Sequence, residues 1–203
     1  MAENEKEATA SGPEIKVVPA LDHKDEVKAL FTEYTDMLVK GDAAFRKYME
    51  IQHYDEELEH LEKKYGPPGG RLYLAYCGGR AAGCIGLRRI DADRCELKRL
   101  YVRPEFRGFR LGGLLVNRII EEARGEGYKR MLLDTLPFLE SAQHIYKKSG
   151  FREVPPYNDS PMSDSIFMEL DLERENGNER DGIYAAPYRE GQKQRKWKIL
   201  YRS

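Results

Sequence analysis

The chain has 203 residues, of which 34% are charged and 40% hydrophobic, and its formal net charge is −1 at pH 7. This length suits one domain with terminal tails, and a charge near zero argues against general attraction to nucleic acid or to an anionic membrane. No apolar stretch approaches the roughly 20 residues that cross a bilayer, and the acidic N-terminus lacks the apolar run of a signal peptide. We therefore expect a cytoplasmic protein with no membrane partner.

The first part of the chain predicts a tail, a strand and two helices. Residues 1–13 are rich in Glu, Ala and Ser and lack apolar periodicity, which indicates a disordered tail. An apolar run predicts a strand over residues 15–21, and Asp22 is placed to cap the amphipathic helix that follows it. A second helical pattern covers residues 45–64 and ends at the Gly-Pro-rich run 66–70.

The rest of the chain predicts further strands and two more helices. In chain order these are strands over 72–77, 81–87 and 95–102, a helix over 111–125, a strand over 131–134, a helix over 139–148, and strands over 151–153 and 165–170. This order predicts an α/β (α+β) domain over residues 14–172, with a mixed central sheet of about six to seven strands flanked by helices. Residues 173–203 form a polar and then basic extension, which is either disordered or packed back on the sheet.

Three cysteines, Cys77, Cys84 and Cys95, lie in apolar segments. An odd number in such segments predicts buried, reduced thiols, with a Cys77–Cys84 bridge across the predicted hairpin as the alternative. The histidines are scattered and no C-x-x-C pair is present, so we expect no metal site.

The run from Val102 to Leu115 combines a strand end, a proline turn, a glycine-rich loop and a helix start. The first amides of a helix have no intrahelical partner, and the helix dipole adds partial positive charge, so this loop predicts a phosphate or pyrophosphate site. Arg107 and Arg110 add full charges beside it. The glycine spacing fits neither a P-loop nor a dinucleotide-binding loop, and an ordinary strand-to-helix turn is the alternative.

Residues 107–112 resemble the acyl-CoA-binding signature Q/R-x-x-G-x-G/A of the GNAT acetyltransferases, with Arg110 in place of the middle glycine. The order of elements over 14–172 is also similar to that family. A subgroup of small microbial members is resembled by the combination of Gln52, Glu57, the strand 97–102, the segment 133–136 and the Pro-Tyr loop after residue 154. The resemblance implies the acyl-CoA N-acyltransferase fold, with a mostly antiparallel sheet, and acetyl-CoA as co-substrate. The residues that it implies for coenzyme A are Leu100, Tyr101, Val102, Arg107, Gly108, Phe109, Arg110, Leu111, Gly112 and Gly113.

The family pattern A-x-x-x-Y-x-x-x-G-F matches the segment that contains Tyr146 and ends at Gly150-Phe151. The resemblance implies that Tyr146 is the acid that protonates the departing thiolate; the alternative is a core aromatic residue. Glu96 stands six residues before Val102, where some histone-acetylating relatives carry a glutamate. We therefore expect Glu96 to be the general base, the alternative being an exposed carboxylate paired with a neighbouring cation.

Acceptor-binding residues are predicted in the second helix and in the loop that follows residue 154. Tyr54, Glu57 and Tyr157 are aromatic or acidic and suit a cationic amine, although acidic helix residues are often only a solvated face. Many family members carry Asn where this chain has Leu139. Nearby, Asp134 and Thr135 either cap the next helix, which we favour, or face the cleft.

The expected activity is transfer of an acetyl group from acetyl-CoA to a primary amine of a small molecule or peptide, by direct attack. The alternative is a catalytically degenerate sensor that binds acyl-CoA, which the departures at Arg110 and Leu139 suggest. A nucleic-acid contact would depend on the basic, aromatic residues 188–201, and we do not expect it because no base-reading motif is present. Homodimer formation is left open.

Overall fold

The computed structural model describes residues 12–42, 45, 54–158, 160, 162, 164–174 and 199–201. The elements in chain order are β1 (Ile15–Pro19), α1 (Lys24–Gly41), α2 (Tyr54–Glu59), α3 (Leu61–Tyr65), β2 (Arg71–Cys77), β3 (Arg80–Arg89), β4 (Arg94–Val102), α4 (Leu111–Gly125), β5 (Arg130–Thr135), α5 (Glu140–Lys148), β6 (Arg152–Glu153), β7 (Ile166–Asp171) and β8 (Ile199–Tyr201). A 3-10 turn over Pro104–Phe106 separates β4 from α4. None of the described helices is long and apolar enough to cross a membrane.

The strands form one sheet in the order β6-β7-β5-β4-β3-β2-β1-β8. Neighbours are antiparallel except for β4 with β5 and β1 with β8, which run parallel. The prediction of a mixed, mostly antiparallel sheet is confirmed, with β1–β7 as its predicted strands. The three residues of β8 add an eighth strand, so the backbone at the end of the C-terminal extension pairs with β1.

Both faces of the sheet are buried under helices. On one face α4 contributes Leu115 and Ile119, which are fully buried against strand residues such as Met131. On the other face α1 and α3 contribute Phe31 and Leu61, which pack against inward-facing residues of β2 and β3. Each such large apolar side chain stabilises the fold by about 1.5–3 kcal/mol relative to its exposed state. The helices thus fix the sheet on both sides and leave the β4–β5 edge to form the site.

The sheet opens between β4 and β5. These strands pair only from Arg94↔Arg130 to Glu96↔Leu132, whereas β5 continues beside β7 as far as Thr135↔Ile166. On its other side β4 carries a bulge, because its register with β3 shifts between Cys84 and Gly86. A bulge bends and twists a strand, which turns the second half of β4 away from β5.

Some predicted boundaries are corrected by the structure. The helix after β1 begins at Lys24 and its N-cap residue is His23, so Asp22 does not cap it. The described part of the second predicted helix is two short helices separated at His60, and residues 46–53 lie outside the description. The three cysteines are free and buried, so the alternative Cys77–Cys84 bridge is wrong. The tail predictions for residues 1–11 and 175–198 also lie outside the described residues.

Candidate active site

A cavity of about 810 Å³ lies where β4 and β5 separate. Its floor is the second half of β4, and its walls come from the C-terminal end of α1, the loop before α4, the N-terminal turn of α4, the end of β5 and helix α5. Strand edges that separate in this way leave backbone N–H and C=O groups available to an extended ligand. We refer to this cavity as the cleft.

One end of the cleft is the turn that leads into α4. The first hydrogen bond of this helix is donated by Leu114 N–H to the Arg110 carbonyl oxygen at 3.1 Å, so the amides of residues 111–113 precede the helical ladder. Those residues line the cleft together with the exposed side chains of Arg107 and Arg110. Amides at a helix N-terminus beside two cations form a site for a diphosphate.

In the loop before α4, Arg110 occupies the position of the middle glycine of the signature Q/R-x-x-G-x-G/A. Arg110 adopts φ 60° and ψ 18°, the left-handed region, and Gly108 has φ +94°. A left-handed arginine costs roughly 1–2 kcal/mol more than glycine, so the surrounding turn fixes this conformation. At the last glycine of the signature, a Cβ on Gly112 would lie 2.8 Å from Ile145 Cδ1 of helix α5, so the end of that side chain would have to shift.

Tyr146 lies on α5 with 5% of its surface exposed and lines the cleft. Its ring packs against Phe151 with the centroids 5.7 Å apart. Burial raises the pKa of its phenol well above the ordinary value of 10.0, and Tyr34 and Asp134 add to this effect. Tyr34 also lines the cleft, and burial raises its pKa to about 12. Both phenols are therefore neutral hydrogen-bond donors at physiological pH.

Glu96 is fully buried on β4 beneath the cleft and is not one of its lining residues. Its carboxylate forms an ion pair with Arg88, accepts a hydrogen bond of 2.6 Å from the Tyr157 hydroxyl, and lies 3.8 Å from Lys98 Nζ. Burial, followed by the charge of Glu96, raises the pKa of Tyr157. The alternative is thus wrong about exposure, whereas the pairing with a neighbouring cation that it expected is present.

Lys98 connects Glu96 to the cleft. Its Nζ is 3.1 Å from Asp134 Oδ1, and both Lys98 and Asp134 line the cleft. The structure therefore places an Asp134–Lys98–Glu96 chain of alternating charge with Asp134 at the cleft end. The N-cap residue of α5 is Leu139 and makes no side-chain capping bond. The preference for Asp134 and Thr135 as capping residues is wrong, because both side chains line the cleft instead.

Arg99 and Glu57 form a buried ion pair at β4, in which Arg99 also lines the cleft whereas Glu57 does not. Arg99 Nε and Nη2 donate to the two Glu57 carboxylate oxygens at 2.8 and 2.9 Å, and Tyr65 donates to Oε1 at 2.7 Å. Burial acts to raise the pKa of Glu57, but the hydrogen bonds and charges of Arg99 and Lys64 outweigh it and hold that pKa well below its usual range. Both oxygens of Glu57 are therefore occupied by groups of the protein.

The Arg99 side chain is anchored at the β4 bulge. The backbone of Arg99 has φ +58°, a conformation that residues other than glycine rarely adopt in a strand. The Arg99 guanidinium lies 5.0 Å from the centre of the Tyr54 ring. Tyr54 thus belongs to the ion-pair cluster. The two hydrogen bonds to Glu57 hold the Arg99 side chain in place at this strained backbone position.

The structure brings most predicted cofactor residues and Tyr146 together in the cleft. The lining set from that prediction is Leu100, Tyr101, Val102, Arg107, Gly108, Arg110, Leu111, Gly112, Gly113 and Tyr146. Phe109 instead packs against the main hydrophobic core. The remaining predicted residues lie outside the cleft lining: Glu96, Tyr54, Glu57 and Tyr157.

Sequence reasoning missed Tyr34 and Lys98 as cleft residues. Tyr34 occurs in the amphipathic pattern of α1 like any core aromatic, and Lys98 reads as a solvated strand residue. No local signal identifies either of them, because their position depends on the separation of β4 from β5.

Comparison with known proteins agrees with this geometry. The model of the acetyltransferase (GNAT) family matches residues 33–151. An uncharacterised N-acetyltransferase of Schizosaccharomyces pombe is 38% identical over 152 residues, which are 74% of this chain and 89% of that protein.

Two solved structures share the fold. An acetyltransferase from Streptococcus agalactiae superposes with a TM-score of 0.62 at 24% identity, covering 79% of this chain and 98% of that one. The PaiA N-acetyltransferase from Thermoplasma acidophilum, solved in complex with coenzyme A, superposes with a TM-score of 0.59 at 16% identity, covering 77% and 98%. The chain therefore belongs to the GNAT family of acetyltransferases, enzymes that use acetyl-CoA as the acyl donor.

Proposed function

We propose that this protein acetylates a primary amine of a small molecule or peptide by direct attack on acetyl-CoA, and that residues 14–172 are its catalytic domain. The observation that carries this proposal is a single cleft that holds an anion-binding helix terminus, an open strand edge and a buried phenol. We further propose that the protein acts in the cytoplasm, which the three free, buried thiols support.

The cofactor would bind along the floor of the cleft. Its diphosphate would accept hydrogen bonds from the amides of residues 111–113, with Arg107 and Arg110 supplying counter-charge. The pantetheine arm carries amide groups, which can pair with the unpaired edge of β4 at residues 100–102 as a further strand would. This arrangement directs the thioester towards Tyr146.

The chemical step forms a C–N bond and breaks a C–S bond. The neutral amine attacks the thioester carbonyl, and the oxyanion that develops can be stabilised by backbone N–H groups of β4. As the intermediate collapses, the sulfur leaves with the C–S electron pair and takes the proton of the Tyr146 phenol. Burial raises the pKa of the Tyr146 phenol, so this proton is still in place when the thiolate departs.

The amine must lose a proton as it attacks. We propose that this proton leaves through the Asp134–Lys98–Glu96 chain, with Glu96 retained as the base and Asp134 as its contact with the cleft. Support comes from the 3.1 Å hydrogen bond of Lys98 to Asp134 and from the ion pair of Lys98 with Glu96 at 3.8 Å, a separation that must shorten before the proton passes. Glu96 is fully buried and is not among the residues that line the cleft, so in this proposal it acts on the acceptor through Lys98 and Asp134.

Thiol release with a panel of primary amines tests the activity. We expect acetyl-CoA to be consumed only when an amine is present, with the acetylated amine and free coenzyme A formed in equal amounts. Coenzyme A binding without turnover of any amine would favour the degenerate sensor instead.

A further inference from the structure

The two ends of the cleft differ in chemistry. The end at α4 is polar and basic, since it is lined by helix-terminal amides together with Arg107, Arg110 and Lys148. The opposite end is formed by the C-terminal part of α1, the segment after β5 and Met162. If the diphosphate occupies the basic end and Tyr146 lies between the two ends, the acceptor amine must occupy the other end.

That acceptor end is apolar. Four of its residues form a buried cluster separate from the two clusters of the sheet, and residues from α1 and the segment after β5 pack around it. The apolar and aromatic residues that line this end of the cleft are Tyr34, Met37, Leu38, Phe45, Leu136, Phe138, Leu139 and Met162. Among the described residues at this end, most of the surface that would contact an acceptor body is therefore hydrocarbon or aromatic ring.

The buried carboxylates Glu57 and Glu96 are already paired with cations of the protein. Glu57 is bonded to Arg99 and Lys64, and Glu96 is paired with Arg88. Among the described residues, the carboxylates that line the cleft are Asp134, which lies 3.1 Å from the Lys98 ammonium, and Glu140, which is exposed on the first turn of α5. Such a lining offers no cluster of negative charge for a second or third ammonium group.

Phe138 is placed to close over an acceptor of this kind. It is 44% exposed, the one large hydrophobic side chain in the described part of the chain with that much surface in water. Its ring reaches across to the last residue of α1, where a Cβ on Gly41 would lie 2.7 Å from the Phe138 Cζ atom. An exposed ring at the rim of an apolar cleft gains free energy when a ligand covers it.

We infer that the acceptor is a primary amine with an apolar or aromatic body and a single positive charge, an inference that rests on the proposed acetyltransferase activity. The acetylated nitrogen would lie near Asp134, and the body of the amine would pack against Phe138 and the apolar cluster. Polyamines and hydroxylated amines are the poorer substrates in this account, because their polar groups would lose water against a lining that is mostly apolar at this end.

Comparison of kcat/KM for 2-phenylethylamine, ethanolamine and 1,4-diaminobutane with the full chain tests the inference. We expect 2-phenylethylamine to exceed each of the other two by at least about tenfold, the usual range for one apolar group in a fitted pocket. Equal or better turnover of the diamine or of ethanolamine would overturn the inference while leaving the proposed function intact. Failure to acetylate 2-phenylethylamine would overturn it as well, and absence of coenzyme A binding would overturn both proposals.

Variants of Phe138 and Gly41 test whether the body of the acceptor amine packs against the Phe138 ring. Phe138→Ala should raise KM for 2-phenylethylamine about tenfold, Phe138→Leu should restore part of that loss, and the affinity for coenzyme A should not change. Gly41→Ala should act in the same direction, because the added methyl displaces the ring without removing it. Arg152→Ala, on the exposed strand β6, is the matched control and should behave as wild type. An unchanged KM in both Phe138→Ala and Gly41→Ala would contradict packing of the acceptor against this ring.

Discussion

At the scale of single residues, the cleft is defined by phenols that burial keeps protonated. Tyr146 and Tyr34 both have raised pKa values because desolvation disfavours their anions. Each phenol therefore keeps its proton and can donate a hydrogen bond to an anion that develops in the cleft. The sequence motif predicted Tyr146, because helical spacing before a Gly-Phe pair is visible in the chain, whereas Tyr34 has no such signal.

Tyr146→Phe should lower kcat by about 100-fold, at the lower end of the range for general acid catalysis, because the thiolate then leaves without a proton donor. The affinity for acetyl-CoA should stay within about twofold, since the hydroxyl acts only as sulfur departs. Steady-state kinetics and calorimetry measure the two quantities separately. Wild-type turnover in this variant would remove Tyr146 from the mechanism.

The wild-type kcat should show no alkaline fall from Tyr146 up to about pH 9. The pKa of this phenol is raised above 10.0, so its protonated form persists across that interval. A pH profile of kcat with a saturating amine measures this. An alkaline limb near pH 8 that disappears in Tyr146→Phe would contradict the assignment of a buried, high-pKa acid.

Two variants test the proton path from the acceptor. Asp134→Asn and Glu96→Gln should each flatten or shift the acidic limb of the pH profile of kcat/KM, because each removes one carboxylate from the chain linked by Lys98. Glu96→Gln also removes the counter-charge of Arg88, so the thermal unfolding temperature of this variant is measured as a control for loss of stability. An unaltered profile in Glu96→Gln would place the base elsewhere.

At the scale of elements, β4 determines the site. Its bulge and its early separation from β5 create the open edge, and the Arg99–Glu57 pair anchors α2 to the strand at the bulge. The residue pattern predicted only that β4 is a strand, and the separation of the sheet at β4 was implied by the family resemblance alone. Neither a register shift nor a positive φ at Arg99 leaves a residue pattern. Glu57 was predicted as an acceptor residue because the sequence of a helix does not show whether a carboxylate faces solvent or a buried arginine.

Glu57→Gln should lower the free energy of unfolding by about 3 kcal/mol at pH 7, because a buried Arg99 loses its counter-charge. The folded pKa of Glu57 lies below the unfolded value of about 4.3, so the unfolded chain takes up the proton first as the pH falls. The difference between wild type and variant should therefore be full above about pH 5 and shrink as the solution is acidified. Urea unfolding at several pH values measures it, and a difference that stays constant from pH 7 to pH 3 would contradict the ion-pair account.

At the scale of the whole molecule, local patterns predicted the elements and the family signature predicted their arrangement. Apolar periodicity and glycine turns gave the order of strands and helices, and residues 107–112 gave the anion-binding turn. The acceptor end is different, because α1, the segment after β5 and Met162 meet there only after the sheet has formed. Contacts between segments far apart in the chain leave no pattern within any one segment, so this part of the site could not be predicted from the sequence.

Calorimetry with coenzyme A and with pantetheine, which lacks the diphosphate, is the most direct test of the central claim that the α4 turn binds a diphosphate. We expect one coenzyme A per chain, and at least about 100-fold weaker binding of pantetheine, because the helix-terminal amides, Arg107 and Arg110 then have no anion to bind. Equal affinity for the two compounds, or no heat of binding with coenzyme A, would contradict the account.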